Sequence, residues 1–249
     1  MGTQVEEKFS DFFESWVSEL EDLVKHLLYA STGGGGGGSG SGGMMEVQQE
    51  PHLRSLVSKL TAHIKLYYTV KWAHAHQDVL AFFSPSWVTP LEAAYSWVTG
   101  WKPSMAFRLI LPSALSPDQL LKLEQLRVKI KAQEDRVDRD MERQQMALAD
   151  HHMVQLSRLE TRRRNGDPMP AVVGKVEGLV DAAIKGMLLG LERTMKAADC
   201  VRLKTMKGIL EVLTPLQCVR FLASISLIQI RLRQWGQPKR LPKIPPTKQ

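Results

Sequence analysis

Histidine is a residue type of this chain that could bind a metal ion, because its ring nitrogens are common metal ligands. His74 and His76 lie two positions apart, and His151 and His152 are adjacent. On a helix neither pair shares one face, because side chains meet there only at spacings of three or four residues. Two ligands from one helix need that shared face. The spacing therefore favours histidines with a structural or surface role, and it predicts no metal site.

Carboxylates are the other group with catalytic potential. Glu134, Asp135, Asp138 and Asp140 lie close together in a segment that is rich in charges of both signs. A catalytic acid–base pair of carboxylates needs both groups in a shared cleft. We interpret these acids instead as the solvent-exposed face of a charged helix. The sequence contains no GxSxG, HExxH, GxxxxGKS or GxxxxGKT motif, and it predicts no enzyme activity.

The charge of the chain is separated between its two ends. The formal net charge is +7, yet the first 31 residues contain seven acids and only two bases. No acid follows Glu211, whereas seven bases do. The basic end is therefore the best candidate for contacts with nucleic-acid phosphates. The candidate residues are Arg231, Arg233, Lys239, Arg240 and Lys243. A solvated tail is the alternative.

The first helix is the best candidate for a protein-binding element. Residues 6–31 have apolar side chains at positions i, i+3, i+4 and i+7, with acids between them. Its aromatic stripe either caps the core of the protein or forms a docking helix for a partner. Both roles are compatible if docking is reversible. The candidate contact residues are Asp11, Phe12, Phe13 and Trp16. We expect Trp16→Ala to weaken partner capture more than it lowers stability.

The organisation that positions these residues is predicted to be all-α, a bundle of about seven helices with two or three long ones. No segment alternates with period two, and no stretch approaches the length of a membrane span. The glycine and serine run 33–43 predicts a flexible linker, natural or engineered, over 32–45. The main helical body is predicted over 46–236. A disordered basic tail, rich in proline, is predicted over 237–249.

The limits of several helices of the body are also predicted. One helix is expected from about 51 to 83, and a long one from about 117 to 162. The apolar seam of the long helix consists of Leu123, Leu126, Ile130, Val137, Met141 and Leu148. Thr89-Pro90, Ser116-Pro117 and Thr214-Pro215 predict helix starts, because each places an N-cap residue before a proline.

Four stretches of the chain resemble sequence blocks of a known protein family. They are SDFFESWVSEL (10–20), the long segment 53–110, SPDQLLKLEQLRVKI (116–130) and KAADCVRLKTMKGILEVLTPLQCVRFL (196–222). The second contains Trp-x-x-Pro-Leu-Glu at Trp87 and Trp-x-x-Gly-x-x-Pro-Ser at Trp97. Together they resemble the plant delay-of-germination family, which is related to the C-terminal domain of TGA-type bZIP transcription factors. The likeness is strongest to the subgroup that stands alone without a bZIP segment.

This resemblance implies a non-enzymatic plant regulatory protein of the nucleus and cytoplasm. Family roles lie in seed dormancy and maturation, abscisic-acid-linked signalling and regulation of transcription. Partner binding in the family is linked with the first helix, where Asp11, Phe13 and Trp16 match an acid–aromatic–tryptophan pattern. Regulatory proteins, among them phosphatases of the abscisic-acid pathway, are the implied partners, and a homo-oligomer is compatible. Haem is also associated with the family, and His74 and His76 would be the candidate ligands.

DNA binding is the alternative that the resemblance leaves open. TGA factors place a basic region and a leucine zipper before this domain, whereas the first 31 residues here are acidic. Sequence-specific base reading by a bZIP element is therefore not expected. Any DNA binding would depend on the basic C-terminal end.

Overall fold

The computed structural model describes residues 4–31, 42–165 and 173–237, and this part of the chain is all-α, as predicted. It contains eight α-helices, three short 3-10 helices and no strand. The α-helices are α1 Gln4–Ser31, α2 Gly42–Ala75, α3 Leu80–Phe83, α4 Pro90–Ala94, α5 Pro117–Met146, α6 His151–Arg164, α7 Val173–Val212 and α8 Pro215–Gly236. No helix of the described residues is long and apolar enough to cross a membrane.

Three of the helix starts are fixed by local sequence. Thr89, Ser116 and Thr214 each precede a proline and accept a hydrogen bond from the backbone N–H three residues later. The Glu or Gln at that third position bonds back to the N-cap amide, which completes a capping box. Proline at the first helical position adds no unsatisfied donor. These starts confirm the sequence predictions for α4, α5 and α8.

Two predicted helices are each divided in the structure. The second helix was expected to continue to Phe83, but α2 ends at Ala75, and Asp78 accepts from the Ala81 amide at 3.2 Å at the start of α3. The helix expected over 117–162 is broken by a 3-10 turn, and the backbone of Asp150 is extended before α6 begins. Aspartate favours the N-cap position, so the signal for this break was present in the sequence.

A single large core is formed where α1 packs against α2 and α8. One face of α1 is buried in this core, and it consists of Phe9, Phe13, Trp16, Leu20, Val24 and Leu27. On the other side of the body, α5 and α7 run antiparallel, because Leu126 meets Gly208 whereas Gln144 meets Gly190. The segment 95–116 lies between α4 and α5, and its 3-10 helix Pro103–Leu109 packs on both α5 and α7.

Candidate functional site

A buried charged cluster lies at the junction of α2 and α7. Asp199 has no exposed surface, and its Oδ1 accepts hydrogen bonds from Lys71 Nζ at 2.9 Å and from Arg202 Nη1 at 2.5 Å. Its Oδ2 accepts from Trp72 Nε1 at 3.0 Å. Lys71 and Arg202 are each about 1% exposed. We call Lys71, Asp199 and Arg202 the buried triad.

The rest of the Arg202 guanidinium holds the loop 97–101. Nε donates to the carbonyl of Trp101 at 2.7 Å, and Nη2 donates to the carbonyls of Val98, at 2.8 Å, and Trp97. The guanidinium also lies over the Trp97 ring, 5.4 Å from its centroid. A Cβ atom at Gly100 would lie 3.0 Å from Arg202 Cζ, so glycine allows this close approach. This packing explains the Trp-x-x-Gly pattern that marks the loop.

Backbone strain accompanies this arrangement. Val98 and Thr99 have φ values of 40° and 63°, in the left-handed region that β-branched residues avoid. Lys71 Nζ donates to both the carbonyl and the hydroxyl of Thr99, at 3.2 and 2.9 Å. Such strain persists only where surrounding contacts over-determine the conformation. The buried triad therefore holds a loop conformation that the loop residues would not adopt alone.

The electrostatics of the buried triad are those of a structural element. Two cations face one carboxylate, and burial lowers the pKa of Lys71 to about 8. The three donors of the Lys71 ammonium have three acceptors within 3.2 Å, in Asp199 and Thr99. With these bonds made, the lysine has no proton directed at a substrate. All three residues lie in the stretches that resemble the family, but the sequence assigned no role to any of them.

A cavity of about 240 Å³ lies beside the buried triad. Residues of α1, α2, α4, α7 and α8 contribute to its walls. Most of the lining side chains are aromatic or aliphatic, and Asp199 and Arg202 form part of one wall. A cavity of this size and polarity is able to enclose a small apolar molecule.

The four candidate partner-binding residues of α1 do not all lie on the same face of the helix. Phe13 and Trp16 are each 8% exposed and point into the core, whereas Asp11 is exposed and Phe12 is half-buried. Trp16 Nε1 donates to the carbonyl of His63 at 3.0 Å, and His63 Nε2 lies 2.9 Å from the carbonyl of Trp16. Their rings stack at 5.0 Å between centroids. The aromatic stripe thus covers the core of this chain.

The opposite face of α1 is exposed and acidic. Glu7, Asp11, Glu14, Ser18 and Asp22 are all exposed, at the three- and four-residue spacing of one helical face. We call these five residues the acidic stripe. Lys25 continues the face after Asp22 and pairs with it at 2.8 Å. The structure therefore presents a narrow negative surface along the first five turns of α1.

The structure describes two of the five candidate nucleic-acid contacts, Arg231 and Arg233, and the surroundings of their side chains differ. Arg231 is exposed and bonds Gln234 at 2.8 Å. Arg233 donates to the carbonyl of Trp87 at 2.9 Å, and its guanidinium lies 5.0 Å from the centroid of the Phe13 ring. Arg233 is therefore engaged in packing α8 against the core. Lys239, Arg240 and Lys243, with nearly all of the predicted tail, lie outside the described residues.

The two histidines with suggested haem roles have different surroundings. The His74 ring packs edge-on against Phe9 at 5.7 Å, and its Nδ1 lies 2.9 Å from the Val70 carbonyl. His76 lies beyond the end of α2, with its ring 3.3 Å from Glu192. The His74 ring therefore contacts a core residue, whereas the His76 ring contacts a carboxylate at the surface.

The acids on α5 were expected to be solvent-exposed, and that interpretation was wrong, because Glu134 is buried and Asp135, Asp138 and Asp140 are half-buried. Glu134 has no exposed surface and accepts from the Ser104 amide at 2.5 Å. Asp138 is half-buried and accepts from Trp97 Nε1 at 2.6 Å. Both carboxylates attach the segment 97–104 to α5. Glu134 lies four residues after Ile130, on the apolar seam, which was the signal for its burial.

Comparison with known proteins identifies the family. Residues 42–112 match the family model DOG1, described as seed dormancy control. Over 241 residues the chain is 48% identical to Protein DOG1-like 4 of Arabidopsis thaliana, covering 95% of each chain. It is 28% identical to Protein RESPONSE TO ABA AND SALT 1 of the same plant, over 95% of this chain and 98% of that protein.

A weaker similarity extends to transcription factors. The chain is 31% identical over 189 residues to the TGACG-sequence-specific DNA-binding protein TGA-2.1 of Nicotiana tabacum, which covers 74% of this chain but 39% of that protein. The family match spans the loop 97–101 that Arg202 holds. At 48% identity over nearly the whole of both chains, this protein belongs to the DOG1 family of seed dormancy control proteins.

Proposed function

We propose that this chain is a non-enzymatic regulatory protein that acts by binding other regulatory proteins in the nucleus and cytoplasm. Its processes are seed dormancy and maturation, abscisic-acid-linked signalling and regulation of transcription. The family description, seed dormancy control, supports this proposal, as do the names of two relatives, RESPONSE TO ABA AND SALT 1 and transcription factor TGA6. Because none of these names denotes an enzyme, they also support a binding role.

The two-faced packing of α1 is the observation that carries the proposal. Its apolar face is buried in the core, whereas the acidic stripe is exposed. A helix that only covers a core needs a polar outer face, but acids three or four residues apart repel one another and slightly destabilise the helix. We therefore assign partner contact to Asp11, with the exposed part of Phe12 beside it. Phe13 and Trp16 act by holding the helix in place.

The charge of this surface favours a basic partner. Four carboxylates of the acidic stripe lie within five turns, and long-range attraction between such a surface and a positive patch raises the association rate. The partners that we propose are protein phosphatases of the abscisic-acid pathway. Association should therefore weaken as salt rises, because exposed charges are screened beyond about 8 Å at physiological ionic strength.

Reversal of this charge is the direct test. In Asp11→Lys/Glu14→Lys, two acids of the stripe become bases, and we expect binding of such a phosphatase to weaken about tenfold or more. Both side chains are exposed, so the free energy of unfolding should change by only about 0.5 kcal/mol per substitution. Binding should be measured by biolayer interferometry and stability by urea denaturation.

The matched control for this test is Glu142→Lys on α5. This acid is also exposed but lies on a different face of the protein, near Arg139 and Arg143. The control should bind as the wild type does. Equal weakening in the control and the stripe variant would show a general charge effect, and it would contradict the assignment of α1.

Direct DNA binding through the basic C-terminal end is the second candidate function, favoured by the similarity to a TGACG-binding protein. Since Arg233 is engaged by Trp87, the exposed Arg231 and the bases after 237 would have to supply the phosphate contacts. Fluorescence anisotropy on labelled duplex should compare the full chain with a version that ends at Gln237. We expect no tight binding near physiological salt. Tight, steeply salt-dependent binding that truncation abolishes would establish this candidate instead.

A further inference from the structure

We infer that the cavity beside the buried triad is a binding site for a small, uncharged, mainly apolar molecule that has a hydrogen-bonding group. The inference is independent of the partner surface on the outer face of α1. It follows from three properties of the cavity: the composition of its walls, the pairing of the charges that line it, and a buried hydroxyl for which the described residues provide no hydrogen-bond partner.

The walls supply an apolar and largely aromatic surface. Nine aromatic residues contribute to them, among them Phe13, Trp16, Tyr67, Phe82, Trp87 and Trp101. A volume of about 240 Å³ corresponds to several water molecules or one small organic molecule. Water in such a site finds few polar partners, so an apolar molecule that replaces it gains free energy.

The charged side chains in the lining are already paired with each other. Asp199 and Arg202 bond at 2.5 Å within the buried triad. At another part of the lining, Arg233 Nη1 lies 3.7 Å from Glu92 Oε2, and Glu92 also accepts from the Thr89 amide at 2.7 Å. Among the lining residues two acids and two bases therefore cancel, and the remaining cation of the buried triad, Lys71, directs its donors at Asp199 and Thr99. An ionised ligand would lose its hydration without gaining an unpaired counter-charge in the lining, which disfavours anions and cations.

Neutral polar groups in the lining are available to a ligand, and the most deeply buried of them is the hydroxyl of Ser226. Ser226 is 2% exposed and lines the cavity, and no hydrogen bond is formed by its hydroxyl within the described part of the chain. Ser224, two residues earlier on α8, donates to the Arg220 carbonyl at 2.9 Å. Burial also raises the pKa of the Tyr67 phenol, which keeps this second hydroxyl neutral. A hydroxyl or carbonyl on the ligand would satisfy Ser226.

Occupation of the cavity would also affect α1. Phe13, Trp16, Val17 and Leu20 of this helix form part of the lining. A bound molecule would add contacts between α1 and the body of the protein. The thermal midpoint should therefore rise with ligand concentration, as for any ligand that binds only the folded state.

The test uses probes that are matched in shape and differ in charge. Isothermal titration calorimetry on the full chain should compare naphthalen-1-ol with naphthalene-1-carboxylate, and decan-1-ol with decanoate. We expect the uncharged member of each pair to bind at least about tenfold more tightly. Equal or tighter binding of either carboxylate would overturn the inference, as would the absence of binding by both alcohols.

Variants of α8 locate the site. Ser226→Leu fills part of the cavity and should abolish binding of naphthalen-1-ol, whereas the control Ser224→Leu should retain it. Ser226→Ala removes only the hydroxyl and should weaken binding about three- to tenfold, the usual value of one neutral hydrogen bond. If Ser226→Leu proves unfolded by circular dichroism, Ser226→Ala decides the question. Unchanged binding by Ser226→Ala would contradict a ligand that bonds to this residue.

Discussion

Asp199→Asn is expected to lower the free energy of unfolding by about 3–5 kcal/mol. The substitution keeps the size of the side chain but removes the only carboxylate that Lys71 and Arg202 share. Two cations would then face each other at about 1% exposure, without a counter-charge. Burial has already lowered the pKa of Lys71, so this lysine should release its proton in the variant, and part of the loss should reflect that forced neutralisation.

Lys71→Met is the comparison that separates charge from packing. It leaves Asp199 and Arg202 as a neutral pair with their 2.5 Å hydrogen bond, and it removes the more easily deprotonated cation. We expect a smaller loss of stability than in Asp199→Asn, because no unpaired charge remains buried. Urea denaturation followed by circular dichroism should rank the two variants. A larger loss in Lys71→Met would show that the bonds to Thr99, and not charge balance, dominate the buried triad.

The helix starts are the part of the fold that sequence reasoning predicts well. Thr89, Ser116 and Thr214 are each followed by a proline, and by Glu or Gln at the third position. All the atoms of a capping box belong to four consecutive residues, so the sequence contains the whole interaction. The same is true of the apolar spacing of α1, which predicts one buried face.

The buried triad could not be predicted from local sequence patterns. Lys71 and Asp199 are separated by 128 residues, and nothing local shows that they meet. Lysine and aspartate in charged helices are usually exposed, so the pattern alone favours a solvated surface for both. The Trp-x-x-Gly loop was recognised as a signature, but its reason, close contact with a guanidinium from α7, depends on tertiary packing.

The sequence alone could not show which surface the aromatic face of α1 contacts, whereas the structure does. An apolar stripe at helical spacing is required both for covering a core and for docking in a partner's groove. The sequence could therefore predict the stripe of Phe9, Phe13 and Trp16 but not the surface that it covers. Burial of this face assigns the stripe to the core and directs attention to the acids opposite.

Trp16→Ala is expected to lower the free energy of unfolding by about 3–5 kcal/mol, the usual range for truncating a buried aromatic side chain. Because Trp16 is buried, this prediction replaces the expectation from the sequence that partner capture weakens more than stability. Trp16 is 8% exposed, stacks on His63 and packs against Tyr67 with 5.0 Å between ring centroids. The substitution also leaves the buried His63 carbonyl without its donor. Trp235→Ala, at a residue that is 66% exposed, is the matched control and should change stability by about 0.5 kcal/mol at most.

Comparison of stability with partner capture then separates the two roles of α1. If Trp16 acts by holding the helix, Trp16→Ala should bind a partner normally at temperatures well below its own thermal midpoint, and binding should fail only as the variant unfolds. Asp11→Lys/Glu14→Lys should fail at every temperature, because its change lies in the contact surface. A Trp16→Ala protein that is folded yet binds no partner would mean that the buried face of α1 reaches the partner directly. In that case the helix must leave the core on binding, and the loss of its apolar contacts with α2 and α8 would have to be recovered in the complex.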